Sequence, residues 1–307
     1  MPDLYDIIII GGGPAGLGAA LYGARGRYST LVIEKAAPGG MILHTAQVDD
    51  YPGHVDGIGG PALGTAMWQQ VTKFGAETLT AEVTDIEMEG HLKVVHSSKG
   101  DFRAKVVILA TGGLRRRLGV PGERELAGKG VYDYAFHDAK KVAGKAVVVI
   151  GGGDSAFSEA IQLSQHASKV TIIHRREDFR AIAALVNDAQ AHENIEYLRS
   201  SAVTAVLGGR KVTGVAVRNL SSNQESTIPA DAVFIHIGYD PSTSLIKDLA
   251  PLEPDGHVAT DEWMTTPAPG VFVAGDVRVD SAQQVITAAG DGATAAIAAD
   301  HYLSGAE

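Results

Sequence analysis

The chain contains no cysteine. That excludes disulfide bonds and every metal site built on thiolates. Its eleven histidines are scattered, with no His-Glu-x-x-His pair and no close ligand cluster, so no metal centre is expected. Positive charge is in deficit: 26 Lys and Arg stand against 36 Asp and Glu, for a net charge of -10. A general nucleic-acid binder is disfavoured by that balance. No apolar run approaches membrane-spanning length, and the N-terminus reads straight into a strand rather than a signal peptide. The expectation is a cytoplasmic protein with no membrane partner. No Ser-His-Asp arrangement can be argued, and the glycine-rich segment at Gly11 lacks the Lys-Ser/Thr of an ATP loop.

What is present is a dinucleotide fingerprint, twice. Tyr5 to Ile10 is a short β-branched run, as expected of a strand buried on both faces. Gly11-Gly12-Gly13-Pro14-Ala15-Gly16 follows, then a helical apolar pattern through Leu17, Ala20, Leu21 and Ala24. In such a turn Gly11 permits the tight bend, Gly13 lets backbone approach a pyrophosphate, and Gly16 lets helix pack closely on strand. The helix N-terminus offers free N–H groups and a partial positive charge to phosphate. The next strand, Thr30 to Ile33, ends at Glu34, with Lys35 beside it. An acid there accepts hydrogen bonds from a ribose 2′-hydroxyl and repels a 2′-phosphate. FAD and NAD both fit such a site.

The pattern recurs from Lys145 to Arg180. Ala146 to Ile150 is the strand, Gly151-x-Gly153-Asp154-Ser155-Ala156 the turn, and Ala156 to Leu163 the helix. The second strand, Val170 to Ile173, ends at His174-Arg175-Arg176, with Phe179 and Arg180 close behind. Guanidinium groups at the ribose position suit a 2′-phosphate, which they hold through charge-assisted, often bidentate bonds. The second site therefore favours NADPH over NADH.

Each half continues with alternating segments and a terminal buried strand. In the first half these are Leu79 to Glu87, Leu92 to His96 and Val106 to Thr111; in the second, Ile195 to Leu207, Val212 to Asn219 and Ala232 to Gly238. Turn signals at Glu89-Gly90 and Gly208-Gly209 mark them as small antiparallel meanders. Gly270 to Asp276 reads as a strand ending in a Gly-Asp turn, and an Ala-rich helix runs from near Gln284 to Ala299. The expected fold is α/β, with two Rossmann-like, three-layer ββα nucleotide-binding domains, each carrying a meander. The expected boundaries are residues 1–116 and 242–307 for the two parts of an FAD domain and 117–241 for an NADPH domain, with crossings near Arg115 to Leu118 and Tyr239 to Thr243. A chain of 307 residues with 45% apolar content suits two such cores.

Over almost its whole length the chain resembles the low-molecular-weight thioredoxin reductases. The matching stretches are Gly39-Gly40-Met41 through Asp50-Tyr51-Pro52-Gly53, where Met41 replaces the usual Gln and Asp50 the usual Asn; Ala110-Thr111-Gly112-Gly113 followed by Val120-Pro121-Gly122-Glu123; Gly151 to Ala156 with His174 to Arg180; and Gly275-Asp276 with Gln284-Val285 and Ala288 to Gly292. The resemblance implies FAD held by Gly11 to Gly16, Glu34, Lys35, Gly40, Met41, Asp50, Thr111, Gly112, Gly275, Asp276, Gln284 and Val285. It also implies NADPH as reductant and a homodimer. That family passes electrons through a Cys-x-x-Cys-Asp stretch. Here Gly130 to Asp138 keeps the frame, but Tyr134 and His137 occupy the cysteine positions, followed by Asp138. Neither side chain can form a mixed disulfide. Tyr134, His137 and Asp138 are the catalytic candidates: Tyr134 could stack on the flavin and His137 could move a proton, or both could simply fill space left by thiols.

The resulting expectation is a flavin-dependent NADPH oxidoreductase that does not reduce thioredoxin by the ordinary dithiol route. Its acceptor would be a small redox protein such as ferredoxin or flavodoxin, a quinone, or another small oxidant. The chain stops at Glu307 without the C-terminal extension of the ferredoxin–NADP reductase branch of this architecture. The alternative is a flavin- and nucleotide-binding redox sensor or partner-binding protein that has lost turnover.

Overall fold

Alternate isoleucines of Tyr5–Ile10 face two different cores, which is why Ile7 to Ile10 are apolar throughout rather than alternating. A computed structural model describes residues 4–305 of the chain; Glu307 lies outside them. Tyr5–Ile10 is strand β1, followed by helix α1 (Pro14–Arg25) and β2 (Thr30–Glu34). A 3-10 turn at Gly40–His44 precedes α2 (Gly60–Lys73), β3 (Glu77–Thr80), β4 (Val83–Glu89), β5 (Leu92–Ser97), β6 (Gly100–Leu109) and β7 (Gly113–Arg115). Next come β8 (Val131–Tyr132), α3 (Ala135–Asp138), β9 (Ala146–Gly151), α4 (Asp154–Ser164), β10 (Lys169–Ile173), α5 (Ala183–Gln190) and β11 (Ile195–Leu198). β12 (Ser201–Gly208), β13 (Val212–Asn219), β14 (Glu225–Pro229) and β15 (Ala232–His236) follow, then β16 (Tyr239–Pro241), β17 (Val271–Val273) and α6 (Val285–Ser304). The chain divides into two units, residues 1–114 with 240–307, and residues 115–239.

In the first unit β3, β2, β1 and β6 run parallel, and β17 joins the C-terminal end of β6. Ile7, Ile9 and Ile108 face a layer made by α1 and α6, while Ile8, Ile10, Val107 and Leu109 face the other side. In the second unit β11, β10, β9, β15 and β8 form a parallel sheet. Val147 and Val149 face α4, and Val148 and Ile150 pack on Val206, Val215 and Val217 of the antiparallel sheet β12-β13-β14. Each unit is thus a Rossmann-like sandwich of helices, parallel sheet and antiparallel meander.

Several element boundaries differ from the sequence reading, for one recurring reason. Leu79 to Glu87 reads as one alternating segment, yet β3 adds to the parallel sheet beside β2, and the chain then leaves it to begin β4. Ile195 to Leu207 breaks likewise: β11 pairs parallel with β10, Ser200 adopts a left-handed conformation (φ 49°), and β12 starts the meander. The strand expected from Val106 begins at Gly100, because its first half pairs antiparallel with β5 and its second half parallel with β1. The strand expected to reach Gly238 ends at His236. α2, α5 and β14 carry no strong periodic signal: α2 buries only Gly60, Leu63, Gly64 and Val71, and α5 only Ala189. The last helix runs past Ala299 to Ser304, where Gly305 (φ 67°) ends it in a left-handed cap. Among the described residues no helix is long and apolar enough to cross a membrane.

Candidate functional site

The first turn is built from close backbone approaches. Gly11 has φ 107°, and a Cβ there would stand 2.3 Å from the Ala110 carbonyl oxygen. A Cβ on Gly16 would stand 1.9 Å from the Gly11 carbonyl oxygen. Gly13 caps α1, Pro14 occupies the helix's first turn, and no acid lies there to compete with an anion. Glu34 closes the turn from β2: its carboxylate accepts the Gly12 N–H at 2.7 Å and the Ala36 N–H at 2.9 Å. Lys35 beside it is exposed.

Other segments of the first unit converge on the same turn. The Gly39 N–H donates to the Gly12 carbonyl at 2.7 Å, which brings Gly40 over Gly13 at the start of the 3-10 turn that carries Met41. Ile42 from that turn packs with Val48, Leu63 and Val285, so the start of α6 lies beside it. Gln284 caps α6 and donates its own backbone N–H to the Thr287 hydroxyl oxygen at 3.3 Å. Gly275 lies against Ala15, where a Cβ would come within 2.8 Å of the alanine methyl. Asp291 of α6 accepts Gly275 N–H at 3.2 Å and is gripped by Arg278 Nε and Nη2 at 2.7 and 3.0 Å. Burial pushes the neighbouring Asp276 carboxyl up, and the Asp291 charge adds to the shift. Thr111 and Gly112 follow β6; the Thr111 hydroxyl donates to Ser242 O at 2.7 Å and the Gly112 carbonyl accepts Ser242 N–H. Asp50 stands on an exposed stretch beyond the Val48–Ile58 bridge.

In the second unit Gly151 (φ 154°) packs its α-carbon against the His236 carbonyl, and Gly153 opens α4 with no atom within 4 Å of where its Cβ would be. Ser155 is exposed and Ala156 buried. Asp154 is engaged internally, accepting Ile182 N–H at 2.9 Å. The Gly152 carbonyl accepts Arg180 N–H at 2.7 Å, which carries Arg180 back to the turn. His174 is buried with its ring against Gly152, and burial, followed by the surrounding arginines, holds its imidazole below the usual range. Its ring packs on Phe179 at 5.6 Å, so it serves as a neutral wall. Arg175, Arg176 and Arg180 are exposed around it.

Tyr134, His137 and Asp138 lie together in the second unit, on and just before α3. The Tyr134 and His137 rings are perpendicular with centroids 6.2 Å apart. Asp138 is half-buried and paired with Lys141 at 2.6 Å. Three residues that the sequence reading did not name as site residues complete this cluster: Arg115, whose guanidinium lies 3.9 Å over the Tyr134 ring, Glu159 and His236. Glu159 leaves a trace in sequence, since it shares the inward stripe of α4 with Ala156, Ala160 and Leu163, where an acid is out of place. Arg115 and His236 leave none.

The cradles fit dinucleotides. In the first unit a side-chain-free turn opens an acid-free helix N-terminus beside Glu34. In the second a similar turn is flanked by three exposed guanidiniums. Known proteins agree with that architecture. The chain is 41% identical to a thioredoxin reductase of Peptoclostridium acidaminophilum, over 99% of this chain and 98% of the relative. It is 40% identical to that of Bacillus subtilis, over 98% and 95%. The crystal structure of Lactococcus lactis thioredoxin reductase in its FR conformation superposes with a TM-score of 0.96 at 36% identity, covering 98% of this chain and 99% of that one. The T. acidophilum thioredoxin reductase gives 0.94 at 33%, over the whole of both chains. Residues 5–292 match the pyridine nucleotide-disulphide oxidoreductase profile, and the chain belongs to that family.

Proposed function

We propose that this protein is an NADPH-dependent FAD oxidoreductase that delivers electrons to a non-disulfide acceptor, a ferredoxin or flavodoxin, a quinone or another small oxidant. The observation that carries the reading is the opposite chemistry at two matching turns. Glu34 sits over the first, and Arg175, Arg176 and Arg180 surround the second. An acid at the ribose position selects an adenosine without a 2′-phosphate, and guanidiniums select one that bears it.

The first unit would hold FAD, with Gly11 to Gly16 and the α1 N-terminus at the pyrophosphate and Glu34 at the ribose. Gly40, Met41, Thr111, Gly275, Asp276, Gln284 and Val285 surround the same turn or lead from it. The second unit would hold NADPH on Gly151 to Ala156, with the arginines at its 2′-phosphate. The flavin supplies the two-electron chemistry when bound. Tyr134 and His137 stand where relatives of this type carry thiols, so no residue of this chain can act as a thiolate towards a disulfide. The resemblance to the thioredoxin reductases supports a homodimer, which light scattering would test.

The deciding experiment is anaerobic stopped-flow of the flavin spectrum with NADPH and with NADH, then a panel of acceptors. The expected result is bleaching, faster and at lower concentration with NADPH, and reoxidation by at least one acceptor. A protein that neither contains nor takes up FAD would overturn the reading. Reduction without turnover would favour the sensor alternative.

A further inference from the structure

A largely buried ring of polar groups lies behind the Tyr134 segment, and the backbone of one member, His236, also touches Gly151 of the second turn. Glu159 projects inward from α4, and its carboxylate accepts the N–H of Ala135, the first residue of α3. The same oxygen stands 3.7 Å from His236 Nε2, at the end of β15. His236 Nδ1 lies 3.2 Å from Arg115 Nη1, which also donates to the Ile235 carbonyl at 2.9 Å. An arginine nitrogen can only donate, so Nδ1 accepts and the ring proton sits on Nε2, facing Glu159. Arg115 then covers the Tyr134 ring. Two consecutive residues are therefore gripped at once, Tyr134 by its ring and Ala135 by its backbone.

α3 spans Ala135–Asp138 only, and Tyr134 at its N-cap makes no side-chain cap bond. First-turn N–H groups have no partner within a helix, and so short a helix is not stable alone. Glu159 supplies the acceptor from a different element.

We propose that Glu159 is the positioning residue of the Tyr134–Asp138 segment: its carboxylate fixes the first turn of α3 and so sets Tyr134 and His137, and the order of the segment follows the charge on that carboxylate.

The groups facing Glu159 are Ala135 N–H and Asp138 from α3, Arg115 from β7 and His236 from β15, while Asp138 is itself held by Lys141. Burial outweighs the Ala135 bond and Arg115 and pushes Glu159 up to about 7. Burial, reinforced by Arg115, pushes His236 down to about 3. Around neutrality His236 is therefore neutral, and Glu159 is the member of the ring that changes charge. An ionised carboxylate accepts a hydrogen bond more strongly than a neutral acid does.

The inference takes Tyr134 and His137 as the groups that replace the dithiol in the proposed oxidoreductase, so the test reads the segment before it reads turnover. Hydrogen exchange of the full-length protein as purified is followed by mass spectrometry on the peptide covering residues 132–139, from pH 6 to 8, corrected for intrinsic exchange. An opening that breaks the Ala135 bond but leaves Glu159 buried loses the stronger, ionised acceptor at high pH. Protection of this peptide should therefore rise roughly five- to tenfold across that range, whereas global unfolding, which exposes Glu159, becomes easier with pH. Glu159→Gln should keep protection but lose its pH dependence. Glu159→Ala should lose protection throughout, while the peptides of β9 and β10 exchange as in the unmodified protein. Equal protection in Glu159→Ala and the unmodified chain would overturn the proposal, as would a pH dependence that survives in Glu159→Gln. Turnover with an acceptor should follow the same profile and flatten in Glu159→Gln. Absence of turnover beside an intact exchange profile would count against the oxidoreductase reading and leave this one standing.

Discussion

The sign of the charge at the strand ends separates the two glycine turns. Arg175 and Arg176 are exposed and free to reach a phosphate, whereas the Glu34 carboxylate is fixed over Gly12. Replacing both arginines by alanine should remove on the order of 2–4 kcal/mol of preference for NADPH over NADH, given the strength of charged hydrogen bonds and their imperfect additivity. Titration calorimetry with both nucleotides checks this, and equal affinities in the unmodified protein would sink it. Glu159 makes a separate prediction about stability. Its pKa is raised from the ordinary 4.5 to about 7, chiefly by burial. The folded protein thus binds this proton more tightly than the unfolded chain does, and the stabilisation it brings is complete below pH 4.5 and lost as pH rises through about 7. Relative to Glu159→Gln, the unmodified protein should lose about 3 kcal/mol over that window. Urea unfolding of both proteins at pH 4.5 and at pH 8 measures it; parallel pH dependence would show that the acid is not perturbed.

At the scale of elements, α1 and α6 pack through small residues and meet backbone to backbone at Gly18 and Gly292. A Cβ on Gly292 would stand 1.9 Å from the Ala15 carbonyl oxygen, whereas one on Gly290, on the same helix, would meet nothing within 4 Å. Gly292→Ala should therefore destabilise by about 1–3 kcal/mol or more through overpacking, and Gly290→Ala should gain about 0.5–1 kcal/mol by helix propensity. Because α6 also carries Asp291 to the Gly275 turn, Gly292→Ala should weaken FAD retention as well, read as flavin lost on gel filtration. α3 supports a different test. Tyr134→Cys with His137→Cys restores the spacing of the dithiol in an otherwise cysteine-free chain. Thiol titration should then find both sulfurs free after reduction and neither after oxidation. Two sulfurs that remain free under oxidant would show that the helix no longer presents the family's geometry.

For the whole molecule, the absence of cysteine sets the largest expectation. With NADPH and a thioredoxin, disulfide reduction by the unmodified protein should stay at background, since no side chain can take the thiolate role. Clear reduction, with contaminating reductase excluded, would overturn the functional reading at its centre. The purified protein should nonetheless be yellow and release FAD, not FMN, on denaturation, because FMN lacks the adenosine ribose that Glu34 would meet in the proposed site.

The features legible in sequence are those that depend on neighbours in the chain. A strand, a glycine turn and a helix follow one another within a few residues at Tyr5 to Ala24 and again at Ala146 to Leu163, and the acid or arginines come one strand later. Lack of thiols is a matter of composition. Local order of this kind determined the fold class, both turns and the charge at each, and the α/β architecture follows from them. Pairing between distant strands decided the rest. Only the sheet shows that β3 belongs beside β2 and β11 beside β10, because an alternating pattern does not say which partner it will meet. Only the fold brings Gly275 against Ala15 and Ile42 beside Val285. Arg115, Glu159 and His236 are far apart in sequence, and only Glu159 leaves a trace there. They become a polar ring because the ends of β7 and β15 meet the middle of α4, where removal from water changes what each group binds and when it is charged.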